Sequence, residues 1–102
     1  MTELIRNGAL TVGTTSLQAV PPLVEGQRTA LTIINTSTSG QIMTITWGGE
    51  GTPLTGIVLY AGGSWSESRD AVFMPSNEPV WVVSSAIGGT IAIHERIRTL
   101  GR

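Results

Sequence analysis

The sequence predicts an all-β fold: a compact antiparallel β-sandwich of about seven or eight short strands, of jelly-roll or immunoglobulin-like type. Gly and Pro, with 13 and 5 residues, interrupt the chain so often that helices have little room. The stretches between them are rich in Val, Ile, Thr and Trp, which favour strands. They recur about every ten residues, as in sandwiches and barrels. A chain of 102 residues can bury one modest core, so we expect a single domain over residues 1–102.

Seven segments are predicted as strands, and an eighth, weaker strand is predicted at residues 71–73. In chain order the seven are residues 9–12, 16–20, 28–35, 41–47, 57–60, 80–84 and 90–97. The third is apolar on both faces, which is typical of a central strand. In the fourth, Met43, Ile45 and Trp47 share one face, which places Trp47 in the core. The polar loop of residues 35–40 ends in Gly and predicts that the third and fourth strands pair as an antiparallel hairpin.

Two segments leave alternatives open. Residues 64–74 have a polarity that is also compatible with a turn of helix. Near the C-terminus a helical spacing of apolar residues competes with the strand at residues 90–97. We expect the strand, because Ile91 and Ile97 share one of its faces, although Glu95 does not fit that face.

Charged residues are scarce, at 13% of the chain against roughly 25% in ordinary soluble domains. All six basic residues are Arg, which is enriched at protein interfaces, and Lys, which is depleted there, is absent. These features are typical of a domain that buries one or more faces in an assembly, so we expect a homo-oligomer. A monomer whose surface is coated with Ser and Thr is the alternative that composition leaves open.

Charge and hydropathy exclude several classes of partner. The net charge is −1, and the only basic cluster is Arg96, Arg98 and Arg102, so we expect no binding to nucleic acid. No apolar run reaches the ~18 residues that span a bilayer, and residues 1–10 lack the apolar segment of a signal peptide. We therefore expect a soluble protein without a membrane partner that is made in a cytoplasm.

We expect no enzymatic activity, no bound metal and no cofactor. His94 is the only histidine, and residues 62–66 lack the second Gly of a nucleophile elbow. The chain has no Cys, and its seven acidic residues are too dispersed to predict a metal site. The Gly-rich residues 48–51 lack the Lys and Ser or Thr of a phosphate-binding loop, and we interpret them as a mobile loop.

Trp65 and Trp81 have the greatest binding potential, because an exposed indole can anchor a protein interface or stack on a sugar ring. Small polar neighbours make exposure and interface burial equally compatible with Trp65. Trp81 shares a strand face with Val83, opposite Val80 and Val82. One of these two faces is an interface if both are covered.

Three stretches together resemble a known class of proteins. They are the loop NTSTSG at residues 35–40, GIVLYAGGSWSES at residues 56–68 and VWVVSSAIGGTIAIHER at residues 80–96. In turn placement and in the closing strand, the chain resembles small decoration, or cement, proteins of tailed-phage heads over residues 28–98. The resemblance implies a virion structural protein that assembles as an oligomer, often a trimer, on the major capsid protein shell and stabilises the head. It also implies a location on the outer capsid surface, after synthesis in the host cytoplasm.

Such proteins bind by surface complementarity, so residues 1–10 and 96–102 are candidate arms that reach a neighbour. The expected interface residues are Leu4, Ile5, Trp65, Trp81, Arg96, Arg98 and Arg102. The alternative function is a carbohydrate- or receptor-binding module at a fibre or spike tip, with Trp65 or Trp81 as the sugar platform. A third possibility, an adhesion or pilus-like subunit, is disfavoured by the missing secretion signal.

Overall fold

The computed structural model describes residues 2–99 of the chain. Within these residues the secondary structure consists of eight β-strands without a helix. In chain order they are β1 (Thr2–Val12), β2 (Leu17–Val20), β3 (Gln27–Asn35), β4 (Met43–Trp47), β5 (Ile57–Leu59), β6 (Ser64–Ser68), β7 (Val80–Ser84) and β8 (Gly89–Thr99). The predicted all-β class is confirmed.

The strands form two antiparallel sheets, each of four strands, that pack as a sandwich. Sheet A has the order β1-β8-β3-β6, and sheet B has the order β2-β7-β4-β5. This is the order of an eight-stranded jelly roll. An immunoglobulin-like sandwich would instead keep its first two strands in one sheet. The predicted sandwich is confirmed, and its topology is that of the jelly roll.

The core lies between the two sheets and is built from the inward side chains of alternating strand residues. Its buried members are Val12, Val20, Leu31, Ile33, Met43, Ile45, Leu59, Val80, Val82 and Ile91. Trp47 packs against this core, as predicted. β3 lies between β8 and β6, so the prediction of a central strand is also confirmed.

The predicted hairpin of the third and fourth strands is wrong, because β3 belongs to sheet A and β4 to sheet B. The loop between them crosses from one sheet to the other and is held by the buried side chain of Asn35. Its Nδ2 donates to the carbonyl oxygens of Gln41 and Leu59 at 2.8 and 2.9 Å. Its Oδ1 accepts from the N–H of Ser37 at 3.0 Å. These bonds satisfy the loop backbone without a hairpin ladder.

The weak strand predicted at residues 71–73 is also wrong, because the strand of this region is β6. Its alternation turns Trp65 and Glu67 inward, and it pairs with β3. After β6 the carboxylate of Asp70 accepts the N–H groups two and three residues further along the chain, both at 2.8 Å. An Asp that bonds its own following backbone in this way favours a turn over a strand.

The predicted C-terminal strand is confirmed, and its partner β1 is longer than predicted. β1 pairs with β8 over its whole length, with Thr2 opposite Thr99 and Val12 opposite Gly89. Residues 2–10 of the proposed N-terminal arm therefore lie along the domain's own sheet. The last three residues of the proposed C-terminal arm lie outside the described residues, and contact of either segment with a neighbour stays a prediction.

The Gly-rich loop that follows β4 packs over the outer face of sheet B. The N–H of Leu54 donates to Oγ1 of the buried Thr44 at 2.8 Å. A Cβ on Gly56 would lie 2.5 Å from the carbonyl oxygen of Ile45, so only glycine permits this approach. The chain thus covers sheet B with its own loop, whereas the outer face of sheet A remains accessible.

Candidate functional site

The outer face of sheet A carries no charged side chain where β3 pairs with β6. Here the register sets Ala30 opposite Ser68, Thr32 opposite Ser66, and Ile34 opposite Ser64. The hydroxyl oxygens of Thr32 and Ser66 are hydrogen-bonded to each other at 3.0 Å. Because these side chains carry no charge, a second protein surface can approach them without stripping water from an ion.

Charged and polar groups of the same face gather on β1 and β8. The guanidinium of Arg96 lies 3.7 Å from the carboxylate of Glu3, and its Nε donates to Nε2 of His94 at 3.2 Å. Because Nε2 accepts this bond, Nδ1 of His94 carries the proton that it donates to Oδ1 of Asn7 at 2.7 Å. The side chains of Arg96 and Glu3 are 45% and 43% exposed, so their pair adds little stability and its charges can meet those of a partner.

Four of the predicted interface residues come together at this end of sheet A. Ile5 lies opposite Arg96, and Leu4 and Arg98 lie one and two positions from that pair along β1 and β8. Leu4 is 48% and Ile5 45% exposed. Arg102 lies outside the described residues. The antiparallel pairing of the first and last strands is what joins residues from opposite ends of the chain.

Trp65 does not join this group, because it lies on β6 and faces inward. Its ring meets that of Trp47 edge to face, with the centroids 6.2 Å apart and the planes at 76°. Both rings line a pocket of about 290 Å³ together with Glu67, Phe73 and Met74. Within residues 2–99, the buried Nε1 of Trp65 and the buried Oε1 of Glu67 have no hydrogen-bond partner.

Burial raises the pKa of Glu67 above its ordinary value of 4.5. The positive charge of Arg28 and the neighbouring indole N–H of Trp65 lower this pKa, but by less. The indole N–H therefore influences the carboxylate without reaching the geometry of a full hydrogen bond. The folded state holds the Glu67 proton more tightly than the unfolded state does.

This raised pKa predicts a pH dependence of stability. The contribution of Glu67 is fully present below the unfolded pKa of 4.5 and is lost as the pH rises through the higher folded pKa. We therefore expect Glu67→Gln to be more stable than the wild type at neutral pH, and this gain to vanish in acid. Urea unfolding at a series of pH values measures it, and Glu50→Gln, at an exposed loop position, controls for the lost negative charge. An equal stability difference at every pH would contradict the prediction.

Trp81 lies on sheet B, away from both groups. It is paired with Gln18 on β2 and Thr46 on β4, and it points away from the core, which Val80 and Val82 of the same strand face. Its indole is partly buried, and its Nε1 has no partner among the described residues. Trp65 and Trp81 therefore lie on different sheets and do not form one surface with the four residues of β1 and β8. An interface role for any of these residues stays a prediction.

A buried ionic cluster of Arg28, Glu95 and the partly exposed Arg6 was not predicted from the sequence. The side chain of Arg28 is fully buried, and its Nε donates to Oε2 of Glu95 at 2.6 Å. Arg6 donates to the other oxygen of Glu95, Oε1, through Nε at 3.0 Å and through a terminal nitrogen at 2.6 Å. The signal in the sequence was Glu95 itself: a carboxylate on the apolar face of a strand needs a buried cation.

The described residues show no cluster of metal-ligating side chains. Nowhere among residues 2–99 do three His, Asp or Glu side chains come together so that they could hold a metal ion. The hydrogen bonds found for His94 in this part of the chain join it to Asn7 and Arg96, not to a serine hydroxyl. The same residues include no helix that is long and apolar enough to cross a membrane.

Comparison with known proteins shows a fold likeness without a family. No protein-family model matches the chain, and no curated protein matches its sequence. Among solved structures, the chain is similar to a subunit of Bacillus endospore appendages, described as a novel family of disulfide-linked pili. The TM-score is 0.61 at 17% identity, and the match covers 96% of this chain and 88% of the other. At this identity the likeness shows a shared fold.

A second match carries no structural argument. It joins this chain to PliG of Aeromonas hydrophila, a periplasmic inhibitor of g-type lysozyme, with a TM-score of 0.38 at 13% identity. The match covers 94% of this chain and 84% of the inhibitor, but the score is too low to indicate the same fold.

The chain differs from the endospore appendage subunit in one chemical respect. The appendages are described as disulfide-linked pili, whereas this chain has no cysteine and cannot form a disulfide bond.

Proposed function

We propose that this chain is a non-enzymatic structural subunit that binds a larger particle through the outer face of sheet A. In its specific form, the particle is a phage head. An oligomer of the chain, a trimer or another closed ring, sits on the outer surface of the major capsid protein shell and stabilises it. The subunit is then made in the host cytoplasm and carried on the virion, with neither nucleic acid nor membrane as a partner.

The observation that carries this proposal is the division of sheet A's outer face. Over β3 and β6 the face offers short uncharged side chains, and over β1 and β8 it offers exposed Arg and aliphatic side chains. Interfaces commonly combine an uncharged part, which is desolvated on binding, with charged groups that select the partner. The low charge of the whole chain agrees with a buried face. Jelly rolls also recur in viral capsids, which is support by fold analogy alone.

The proposal predicts a specific effect of one added charge. Ser66→Arg places a cation in the uncharged part of the face, where Ser66 is exposed in the free chain. Burying it without a partner should weaken binding to the particle by at least about tenfold. Val72→Arg adds the same charge to a loop position that is 95% exposed, and should leave binding unchanged.

The measurement is co-sedimentation of the purified chain with shells assembled from the major capsid protein of the same genome. Saturable binding that is lost only in Ser66→Arg supports the proposal. The absence of binding by the wild type would overturn the capsid form of it. Equal binding by both variants would show that another surface contacts the shell.

A second candidate is a fibre subunit, which the likeness to the endospore appendage subunit favours. Without cysteine, such a fibre would be held by strand pairing and side-chain packing alone. Electron microscopy of the concentrated chain distinguishes the two candidates. Open filaments support the fibre, and discrete closed particles support the decoration oligomer.

A further inference from the structure

β1 is an outer strand of sheet A, and its free edge faces no other strand within residues 2–99. Along such an edge, the backbone N–H and C=O groups of alternate residues are available to a further strand. The exposed Leu4 and Ile5 lie on the two opposite faces of this strand, since successive residues alternate. A strand added at this edge would therefore cover an aliphatic side chain on each face.

We infer that the added strand is β1 of a second copy, paired antiparallel about a two-fold axis at Asn7. In this register two of the pairs place an apolar side chain opposite another apolar one, and the third places the long Arg6 opposite a glycine. The pairs are Leu4 with Leu10, Ile5 with Ala9, and Arg6 with Gly8. Because Asn7 lies opposite itself, paired residues always differ by an even number of positions. Inward side chains therefore meet inward ones, and free backbone groups meet free backbone groups.

A groove beside β1 provides the place for the partner's Leu4. It lies between the edges of the two sheets, has a volume of about 220 Å³, and is lined by Leu10, Ala19 and Ile93, with Arg6 and Glu95 also at its walls. The three apolar residues are only partly buried, although they pack against the core. Since the register sets Leu4 of one copy against Leu10 of the other, each Leu4 covers the apolar part of its partner's groove.

Gly8 gives the central Arg6 the space that this pairing needs. No atom lies within 4 Å of the position that a Cβ on Gly8 would occupy. Gly8 therefore presents no side chain opposite Arg6 of the second copy, and each Arg6 keeps its bonds to Glu95 of its own chain, which lies on the other side of β1.

The two-fold pairing would join two copies of sheet A into one sheet of eight strands, four from each copy. The axis runs perpendicular to the sheet, so both outer faces point the same way and double the proposed contact area. This pairing rests on the proposed function in one respect, because that function requires the chain to form an oligomer. An isologous contact of this kind closes on itself and yields a dimer, so the closed oligomer of the proposed function is then a dimer and not a trimer.

Single cysteines test the register directly, because the natural chain has none. In the proposed pair, position 5 of one copy lies opposite position 9 of the other, with Cα atoms about 4.5–5.5 Å apart, within disulfide range. Two copies of position 5 lie about 14 Å apart, too far to be bridged. We therefore expect a disulfide dimer when Ile5→Cys and Ala9→Cys are mixed under mild oxidation, and little product from either alone. Isotopic labelling of one variant identifies the mixed product by mass.

Two further variants complete the experiment. Asn7→Cys should cross-link to itself, since it lies on the axis, whereas Ser68→Cys on the far edge strand of the same sheet should not. Strong self-linking of Ile5→Cys, or a failure of the mixture to link, would overturn the pairing. If shell binding persists without the mixed product, the proposed function stands and the strand pairing fails. If the mixed product forms without shell binding, the reverse holds.

Discussion

Replacement of Arg28 by Met will lower the free energy of unfolding by about 3–5 kcal/mol, the largest effect that we expect from one substitution in this chain. Arg28 is fully buried and donates to the carbonyl oxygens of Ser76, Glu78 and Pro21 at 2.7, 2.9 and 3.0 Å, in addition to Glu95. Its loss leaves a buried carboxylate with a single cation and leaves three backbone carbonyls unpaired. Since a domain of this size is stable by about 5–15 kcal/mol, a large part of its stability is at stake.

Urea unfolding of Arg28→Met, followed by tryptophan fluorescence, measures this loss. Arg69→Met removes an Arg from an exposed position and should change the stability by less than about 0.5 kcal/mol. The double variant Arg28→Met with Glu95→Leu should recover part of the loss, because the buried carboxylate of Glu95 is then no longer left short of a cation. A change below about 1 kcal/mol in Arg28→Met would show that the cluster contributes little beyond its own desolvation.

Replacement of Asn35 by Ala will lower the free energy of unfolding by about 2–4 kcal/mol. The buried side chain joins three backbone groups: it donates to the carbonyls of Gln41 and Leu59 and accepts from the N–H of Ser37. Alanine leaves all three without this partner and leaves a small cavity in the crossing between the sheets. The loop should therefore loosen before the rest of the sandwich.

Amide hydrogen exchange at residues 36–41, combined with urea unfolding, measures both effects. Asn7→Ala is the matched control, because Asn7 is exposed and its side chain bonds only His94 among the contacts found in the described residues. We expect it to change stability by less than about 0.5 kcal/mol. Equal losses for the two variants would contradict the structural role assigned to Asn35.

The predicted interface residues show which part of a candidate site can be predicted from the sequence. Leu4, Ile5, Arg96 and Arg98 were predicted because termini and arginines often lie at interfaces, and they do share one end of sheet A. Trp65 was also predicted as an interface residue, yet it faces inward beside Trp47. Its alternation with Glu67 in β6 was visible in the sequence, but a carboxylate two residues away made the apolar face hard to recognise.

The alternation of apolar and polar residues and the positions of Gly and Pro predicted much of this fold. The frequent Gly and Pro residues exclude long helices, and the period of two identifies most strands and places Trp47 and the Ile residues of β8 toward the core. Local pattern also favoured a strand over the competing helix in the C-terminal segment, and the structure has a strand there. These inferences hold because burial of one strand face is dictated by residues that are neighbours in sequence.

Only the tertiary structure decided which strands pair, and with what register. The loop after β3 has the composition of a hairpin, but the buried amide of Asn35 bonds Gln41 and Leu59, and the chain crosses to the other sheet. Glu95 looks like an error in a strand until β3 brings Arg28 against it across 67 positions of sequence. The sequence by itself thus determined the class and the strands, because these depend on local periodicity. The jelly-roll topology, the buried ion cluster and the free edge of β1 depend on contacts between distant segments, which no local pattern encodes.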